Sequence, residues 1–258
     1  MDSGLAGCVA IVGGSSSGLG RATAAALAAE GCRVSLFARR ADELEAARAS
    51  LEAAGGDALA TVGDSSDAAA LQRLVDATRE RFGRVDVLVN NTGGPPSGPA
   101  GATDDAALQA AFELTLLSTV RLTRLCLADL RASGRGRVVT ITASNVLEPS
   151  PGLALSNTMR AGVTAWAKTL AREEGPHGVT VNHVAPGYID TDRLRYLYGE
   201  GPEADAARAA DAETIPVRRF GRPEEIAATV VFLASVGAAY ISGTTILVDG
   251  GLAQGLLS

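Results

Sequence analysis

The sequence has few aromatic residues and few of the side chains that bind metals or form disulfides. Aromatic residues make up 4% of its 258 residues, and there are two histidines and three cysteines. Cys8, Cys32 and Cys126 are far apart, odd in number and outside any Cys-x-x-Cys or Cys/His cluster. This pattern indicates neither a disulfide framework nor a metal site. It is typical of small core residues in a reducing compartment.

Long apolar runs and an excess of positive charge are also absent. No stretch reaches the roughly 18 apolar residues that a membrane span needs, and the first residues lack the basic start and apolar run of a secretory signal. The net charge of −6 at pH 7 gives no general attraction to nucleic acid or anionic lipid. We therefore expect a cytoplasmic protein that binds neither nucleic acid nor a membrane.

Short apolar runs alternate with longer Ala-rich segments along the whole chain. Because strands buried on both faces read as continuous apolar runs, this alternation predicts an α/β, doubly wound Rossmann fold with a parallel sheet of about seven strands flanked by helices. We expect residues 1–258 to form one domain. The predicted strands are Cys8–Val12, Arg33–Phe37, Ala58–Val62, Val85–Val89, Arg137–Thr142, Thr180–Val184 and Thr244–Val248. The predicted helices are Leu19–Ala29, Ala41–Ala54, Asp67–Arg81, Asp105–Arg131, Asn157–Glu174 and Pro223–Leu233.

A glycine-rich turn follows the first predicted strand and opens the first helix. Within it, Gly14 permits a tight turn, Gly18 lets the backbone approach a pyrophosphate, and Gly20 allows close packing of helix on strand. The helix N-terminus adds N–H donors and a positive dipole end. The turn predicts a dinucleotide site, although glycines also mark ordinary turns.

The second predicted strand ends at two arginines, Arg39 and Arg40, where an NAD-preferring site would carry an acidic residue for the ribose 2′-hydroxyl. Guanidinium groups at this point favour a 2′-phosphate, and so NADP(H). The alternative is that both arginines are solvated side chains at a helix start.

Several ordered motifs together resemble the short-chain dehydrogenase/reductase family, especially its 3-oxoacyl-carrier-protein reductase-like branch, over nearly the whole sequence. The turn at 13–20 matches the family's TGxxxGxG, residues 90–93 (Asn-Asn-Thr-Gly) stand for its NNAG, and residues 186–191 match its PGxxxT. The resemblance implies that Asp64 lies at the adenine and that Ile189 and Thr191 hold the nicotinamide carboxamide. The complete predicted NADP(H) site is Gly14, Ser16, Ser17, Gly18, Leu19, Gly20, Arg39, Arg40, Asp64, Ser65, Asn91, Gly93, Arg160, Pro186, Gly187, Ile189 and Thr191.

The family's catalytic positions are altered in this sequence. Its YxxxK pair falls on Ser156 and Arg160, its serine on Ala143 with Ser144 beside it, and its asparagine on Thr115. A serine hydroxyl is a far poorer acid than the tyrosine phenol, and an arginine cannot titrate usefully as a proton relay.

The predicted catalytic residues are therefore Arg160, Ser144, Ser156 and Tyr188. Arg160 still offers a fixed positive charge, and Ser144 either contacts a substrate oxygen or caps the strand end. Tyr188, in the PGxxxT segment, is the nearest phenol by sequence, with packing of its loop as the alternative.

Other residues have structural interpretations beside functional ones. Glu148 follows the serine motif and is either a base or an exposed loop acid, while His183 is interpreted as a satisfied core histidine. The charged segment 190–219 shows no clear pattern and is interpreted as a substrate lid. Within it, Arg193 and Arg195 either meet an anionic substrate or are solvated.

These features favour an NADP(H)-dependent oxidoreductase that acts on a small or acyl-linked carbonyl or alcohol with a variant catalytic site. The alternatives are a non-redox enzyme (dehydratase, isomerase or cyclase) on the same fold, and a cofactor-binding protein without turnover. The resemblance also implies a homotetramer, or a homodimer, with interfaces at the C-terminal strand and the long helices.

Overall fold

A seven-stranded parallel sheet forms the centre of the protein, as predicted. The computed structural model describes residues 2–255, apart from the side chains at positions 196 and 197. The strands lie in the order β3-β2-β1-β4-β5-β6-β7, and this order reverses between β1 and β4. Ligands of such sheets bind beyond the carboxyl ends of the strands at that reversal. The strands are β1 (Val9–Gly13), β2 (Arg33–Ala38), β3 (Asp57–Val62), β4 (Val87–Asn90), β5 (Arg137–Ile141), β6 (Thr180–Pro186) and β7 (Thr245–Val248).

Helices cover both faces of the sheet and bury it between them. Neighbouring residues of β1 show this arrangement, since Ile11 and Val12 are both fully buried but belong to different apolar clusters. Cys8, Cys32 and Cys126 are buried free thiols in these clusters. The helices are α1 (Gly18–Ala29), α2 (Ala41–Ala53), α3 (Ala68–Phe82), α4 (Asp105–Ala111), α5 (Ser118–Ala132), α6 (Ala154–Glu174), α7 (Asp192–Tyr198), α8 (Pro202–Thr214) and α9 (Pro223–Ala234).

The predicted helical segment Asp105–Arg131 is helical throughout, but it is not a regular α-helix. A π-helical turn at Phe112–Leu117 joins α4 to α5. Such turns insert an extra residue into a helix and are frequent at functional sites. The turn carries Thr115, which is buried.

Segment 190–219, whose sequence shows no clear pattern, contains the two helices α7 and α8. In addition, α6 begins at Ala154 rather than at Asn157, so Ser156 lies within its first turn. Within residues 2–255, no helix is long and apolar enough to cross a membrane.

Candidate cofactor and substrate cleft

A cleft of about 680 Å³ lies at the carboxyl ends of the strands. Its walls come from the loops after β1 to β6, so it runs across the point where the strand order reverses. Every sequence-predicted site residue except Gly20 lines it. The folding of the chain thus brings the predicted cofactor and catalytic residues to one continuous site.

The glycine-rich turn has the tight geometry that its sequence predicts. Gly14 and Gly18 have φ angles of +58° and +53°, in the left-handed region that favours glycine. A Cβ at Gly20 would lie 2.2 Å from the carbonyl oxygen of Gly14. Gly20 is therefore needed for packing of α1 against the turn, which is why it does not line the cleft.

The arginines after β2 lie at one end of the cleft, beside β3. Arg39 pairs with Asp64 at 3.7 Å, and Arg40 contacts Glu43 at 2.6 Å. Arg40 also donates to the hydroxyl of Ser17 in the glycine turn at 2.9 Å. The glycine-rich turn lets a pyrophosphate approach the backbone, and the two guanidinium groups can bind a 2′-phosphate. Together they fit a dinucleotide that carries a 2′-phosphate.

A polar cluster lies beyond the carboxyl end of β5. Ser144 and Asn145 belong to the short 3-10 helix Ser144–Val146, and Asn145 faces α6. The Asn145 side-chain amide donates to Ser156 Oγ at 3.3 Å and to Asn157 Oδ1 at 2.7 Å. Since Ser156 Oγ accepts this bond, its own hydrogen is free to be donated within the cleft. Asn145 is 4% exposed, and its Oδ1 has no partner among the described residues.

Arg160 lies one helical turn after Ser156 and is fixed by the backbone. Its guanidinium donates to the carbonyl oxygens of Ile141 and Thr142 at 3.2 and 3.1 Å. Burial, and then the positive charge of Arg193, lower the pKa of Arg160 to about 10. The side chain is therefore a fixed cation at neutral pH.

Thr115, the residue at the family's asparagine position, faces a second small cavity beneath Arg160. The cavity measures about 10 Å³, and Thr115 Oγ1 is buried without a hydrogen-bond partner in the described chain. The walls are mostly polar. They consist of Asn90, Thr92, Thr115, Thr119, Thr140, Ile141, Thr142, Arg160 and Val163.

Tyr188 supplies a phenol to the cleft. The side chain is 37% exposed, and its ring stacks on Phe220 with 5.8 Å between centroids. Burial, and then the charge of Asp211, raise the pKa of Tyr188 above its usual value. The phenol is therefore protonated at neutral pH.

Glu148 does not line the cleft. Its Oε1 accepts the backbone N–H groups of Gln254 and Gly255 at 2.9 and 2.8 Å. It therefore anchors the C-terminal segment, and the geometry gives no support to its interpretation as a base.

Arg195 is paired with Asp190 at 3.0 Å and does not line the cleft. Arg193, on the same helix α7, does line it. His183 is a core residue as predicted, but it is not satisfied, because its Nε2 has no partner within residues 2–255.

Comparisons with known proteins agree with this architecture and with the motifs. Residues 14–253 match a family model described as enoyl-(acyl carrier protein) reductase. The chain is 37% identical to the 3-oxoacyl-[acyl-carrier-protein] reductase of Synechocystis sp., over 95% of this chain and 96% of that protein. This chain belongs to the short-chain dehydrogenase/reductase family.

Two solved structures of short-chain reductases have the same fold over nearly their whole length. L-sorbose reductase from Gluconobacter frateurii, complexed with NADPH and L-sorbose, has a TM-score of 0.96 and 32% identity, covering 99% of this chain and 100% of that one. An actinorhodin polyketide ketoreductase variant with NADPH has a TM-score of 0.90 and 31% identity, covering 95% and 97%.

Proposed function

We propose that this short-chain dehydrogenase/reductase uses NADPH to reduce the carbonyl group of a small or acyl-linked substrate, through a variant catalytic site. The observation that carries the proposal is the cleft itself, in which the dinucleotide turn, Arg39 and Arg40 are continuous with Ser144, Ser156 and Arg160. The similarity to reductases with NADPH bound supports the same conclusion.

The cofactor would lie along the cleft with its 2′-phosphate at Arg39 and Arg40 and its pyrophosphate at the glycine turn. Ile189 and Thr191 also line the cleft, and the nicotinamide would lie beside them. When bound, the nicotinamide supplies hydride for reduction of the carbonyl. The residues of the chain then have to orient the substrate and stabilise its oxygen as negative charge develops there.

Ser144 and Ser156 are the proposed hydrogen-bond donors to that oxygen, and Arg160 provides the fixed positive charge. Tyr188 is the one phenol that lines the cleft among the described residues, and we propose it as the proton donor. A phenol of raised pKa is still a stronger acid than the product alcohol, so transfer of its proton to the alkoxide formed by hydride transfer is favourable.

The alternative is a non-redox enzyme, or a protein that binds the cofactor without turnover, because the resemblance to the family aligns its tyrosine and lysine with Ser156 and Arg160. Incubation with NADPH and a panel of short oxo acids, ketones and 3-oxoacyl thioesters separates these functions. A reductase consumes NADPH in proportion to the alcohol formed. A product formed without consumption of NADPH would support the non-redox enzyme. Binding of NADPH without any product would support a cofactor-binding protein without turnover.

We also propose that the protein is cytoplasmic and assembles as a homotetramer, or as a homodimer. β7 is an edge strand whose residues are only half-buried, and the nearby Tyr240 is fully exposed. An interface between subunits at this edge would cover both β7 and Tyr240. A monomer in light scattering at micromolar concentration would contradict the assembly.

A further inference from the structure

Two guanidinium groups approach each other at the end of the cleft opposite Arg39. Arg160 comes from α6, and Arg193 comes from α7 in the lid. A Cβ at Gly94 would lie 3.1 Å from a terminal nitrogen of Arg193 and 3.9 Å from a terminal nitrogen of Arg160. Both cations are therefore within 4 Å of one point, and the glycine leaves that point open.

Neither cation has a carboxylate partner in the part of the chain that the structure describes. Arg160 bonds only backbone carbonyls, and Arg193 forms no ion pair. By contrast Arg195, two residues along the same helix, pairs with Asp190 and Asp192. The one acidic side chain among the described residues of the cleft wall is Asp64, which lies at the opposite end beside Arg39.

The two like charges repel each other, although Arg193 is exposed. Burial, and then the charge of Arg193, lower the pKa of Arg160. A carboxylate between them would relieve the repulsion, because the planar fork of a guanidinium matches its two oxygens.

The phosphates of a bound cofactor would have other partners. The side chain nearest to the position of a Gly18 Cβ is Thr191, at 3.7 Å, so the glycine turn is bordered by that threonine. The helix N-terminus of α1 and the Arg39/Arg40 pair provide donors for the pyrophosphate and the 2′-phosphate. Arg193 is thus available to the substrate.

We infer that Arg160 and Arg193 together bind the carboxylate of an anionic substrate. The binding of the carboxylate does not depend on the proposed function, whereas the reduction of that substrate does. Ser156 lies one helical turn before Arg160, a rise of about 6 Å. Both side chains line the same cleft, so one small molecule with neighbouring carbonyl and carboxylate groups can contact both. The substrate class is a short 2-oxo or 3-oxo acid.

The test compares two probes of nearly the same shape, phenylacetate and its uncharged amide phenylacetamide. Their dissociation constants are measured by calorimetry with the NADP⁺-saturated protein, for the wild type, Arg193→Gln and Arg195→Gln. Arg195 is the matched control, since it lies on the same helix but already has carboxylate partners. The dissociation constant for NADP⁺ is measured for each variant as well.

We expect phenylacetate to bind the wild type more tightly than phenylacetamide. Arg193→Gln should weaken phenylacetate binding roughly ten- to a hundredfold, the size expected for one charge-assisted contact, and leave phenylacetamide unchanged. Arg195→Gln should leave both constants within about twofold of the wild type, because a surface ion pair contributes little.

Three results would overturn the inference: no binding of phenylacetate, equal binding of the two probes, or a loss of NADP⁺ affinity in Arg193→Gln without a loss of phenylacetate affinity. The last would assign Arg193 to the cofactor. Arg193-dependent binding of phenylacetate in a protein that oxidises no NADPH with any oxo acid would contradict the proposed reduction but support the anion site.

Discussion

The side-chain amide of Asn145 donates a hydrogen bond to the hydroxyl oxygen of Ser156, with 3.3 Å between Nδ2 and Oγ. The same amide donates to Asn157, so two residues of the first turn of α6 are tied to the loop after β5. Ser156 therefore has a defined orientation in which its hydrogen is available to a substrate oxygen. In the proposed mechanism, Asn145 acts through Ser156 and is a positioning residue.

Substitution of Asn145 should mimic the loss of Ser156. We expect Ser156→Ala to lower kcat about 100-fold, the effect of removing one donor to a developing oxyanion, and Asn145→Ala to produce most of that loss. NADPH affinity should change little in either variant. The double variant should be no slower than Ser156→Ala, because both substitutions remove the same interaction. Fully additive losses in single-turnover kinetics would show that the two residues act independently.

Removal of Arg39 and Arg40 should reduce the preference for NADPH over NADH. Both guanidinium groups lie at the end of β2, without a ribose-binding carboxylate at that position. In the Arg39→Ala/Arg40→Ala variant we expect the ratio of NADH to NADPH dissociation constants to fall roughly five- to a hundredfold, chiefly through weaker NADPH binding. Fluorescence titration of both nucleotides measures this ratio. Equal affinities in the wild type would contradict the prediction.

Tyr188 should make reduction and alcohol oxidation differ in their pH dependence. The pKa of its phenol is raised above 10.0 by burial and by Asp211, so the protonated donor is present throughout the neutral range. Reduction should therefore be nearly independent of pH from neutrality to about 9, whereas oxidation needs the phenolate and should rise about tenfold per pH unit. Tyr188→Phe should lower turnover roughly 10² to 10⁴-fold without loss of NADPH affinity. Unchanged turnover in Tyr188→Phe would remove it as the donor.

His183 should make the protein less stable in mild acid. Burial lowers its pKa from 6.5 to about 4, so the folded protein holds it neutral while the unfolded chain binds a proton below 6.5. Its contribution to stability is therefore complete above pH 6.5 and is lost as the pH falls towards 4, by up to about 3 kcal/mol.

Urea unfolding between pH 7 and 4.5 tests this linkage. The free energy of unfolding of His183→Gln should depend less steeply on pH than that of the wild type. His177, the other histidine, is exposed and provides the matched control in His177→Gln. Parallel pH dependence in all three proteins would contradict the assignment.

The fold and the cofactor end of the cleft follow from local sequence patterns. Apolar runs identified all seven strands because parallel strands buried on both faces are rich in apolar residues. The glycine pattern also predicted the close contact at Gly20. The Cβ of any other residue there would lie 2.2 Å from a carbonyl oxygen.

The remaining features depend on contacts between distant residues. No periodicity marks the π-helical turn at Thr115, and the short helices of the lid are too weakly patterned to be recognised. The bond from Asn145 to Ser156 joins different elements, and its only sequence signal is the position of Asn145 directly after Ser144. The approach of Arg193 to Arg160 required the fold of the lid.

The most direct test of the central claim is transfer of deuterium from NADPH that carries deuterium at both C4 positions, in a single turnover with a short 2-oxo acid as substrate. Mass spectrometry then locates the label in the product. Reduction at this variant site predicts one deuterium on the new carbinol carbon, in an amount equal to the NADP⁺ formed, and little product in Arg160→Ala. Product without the label, or label retained in NADPH while the substrate is converted, would contradict the account.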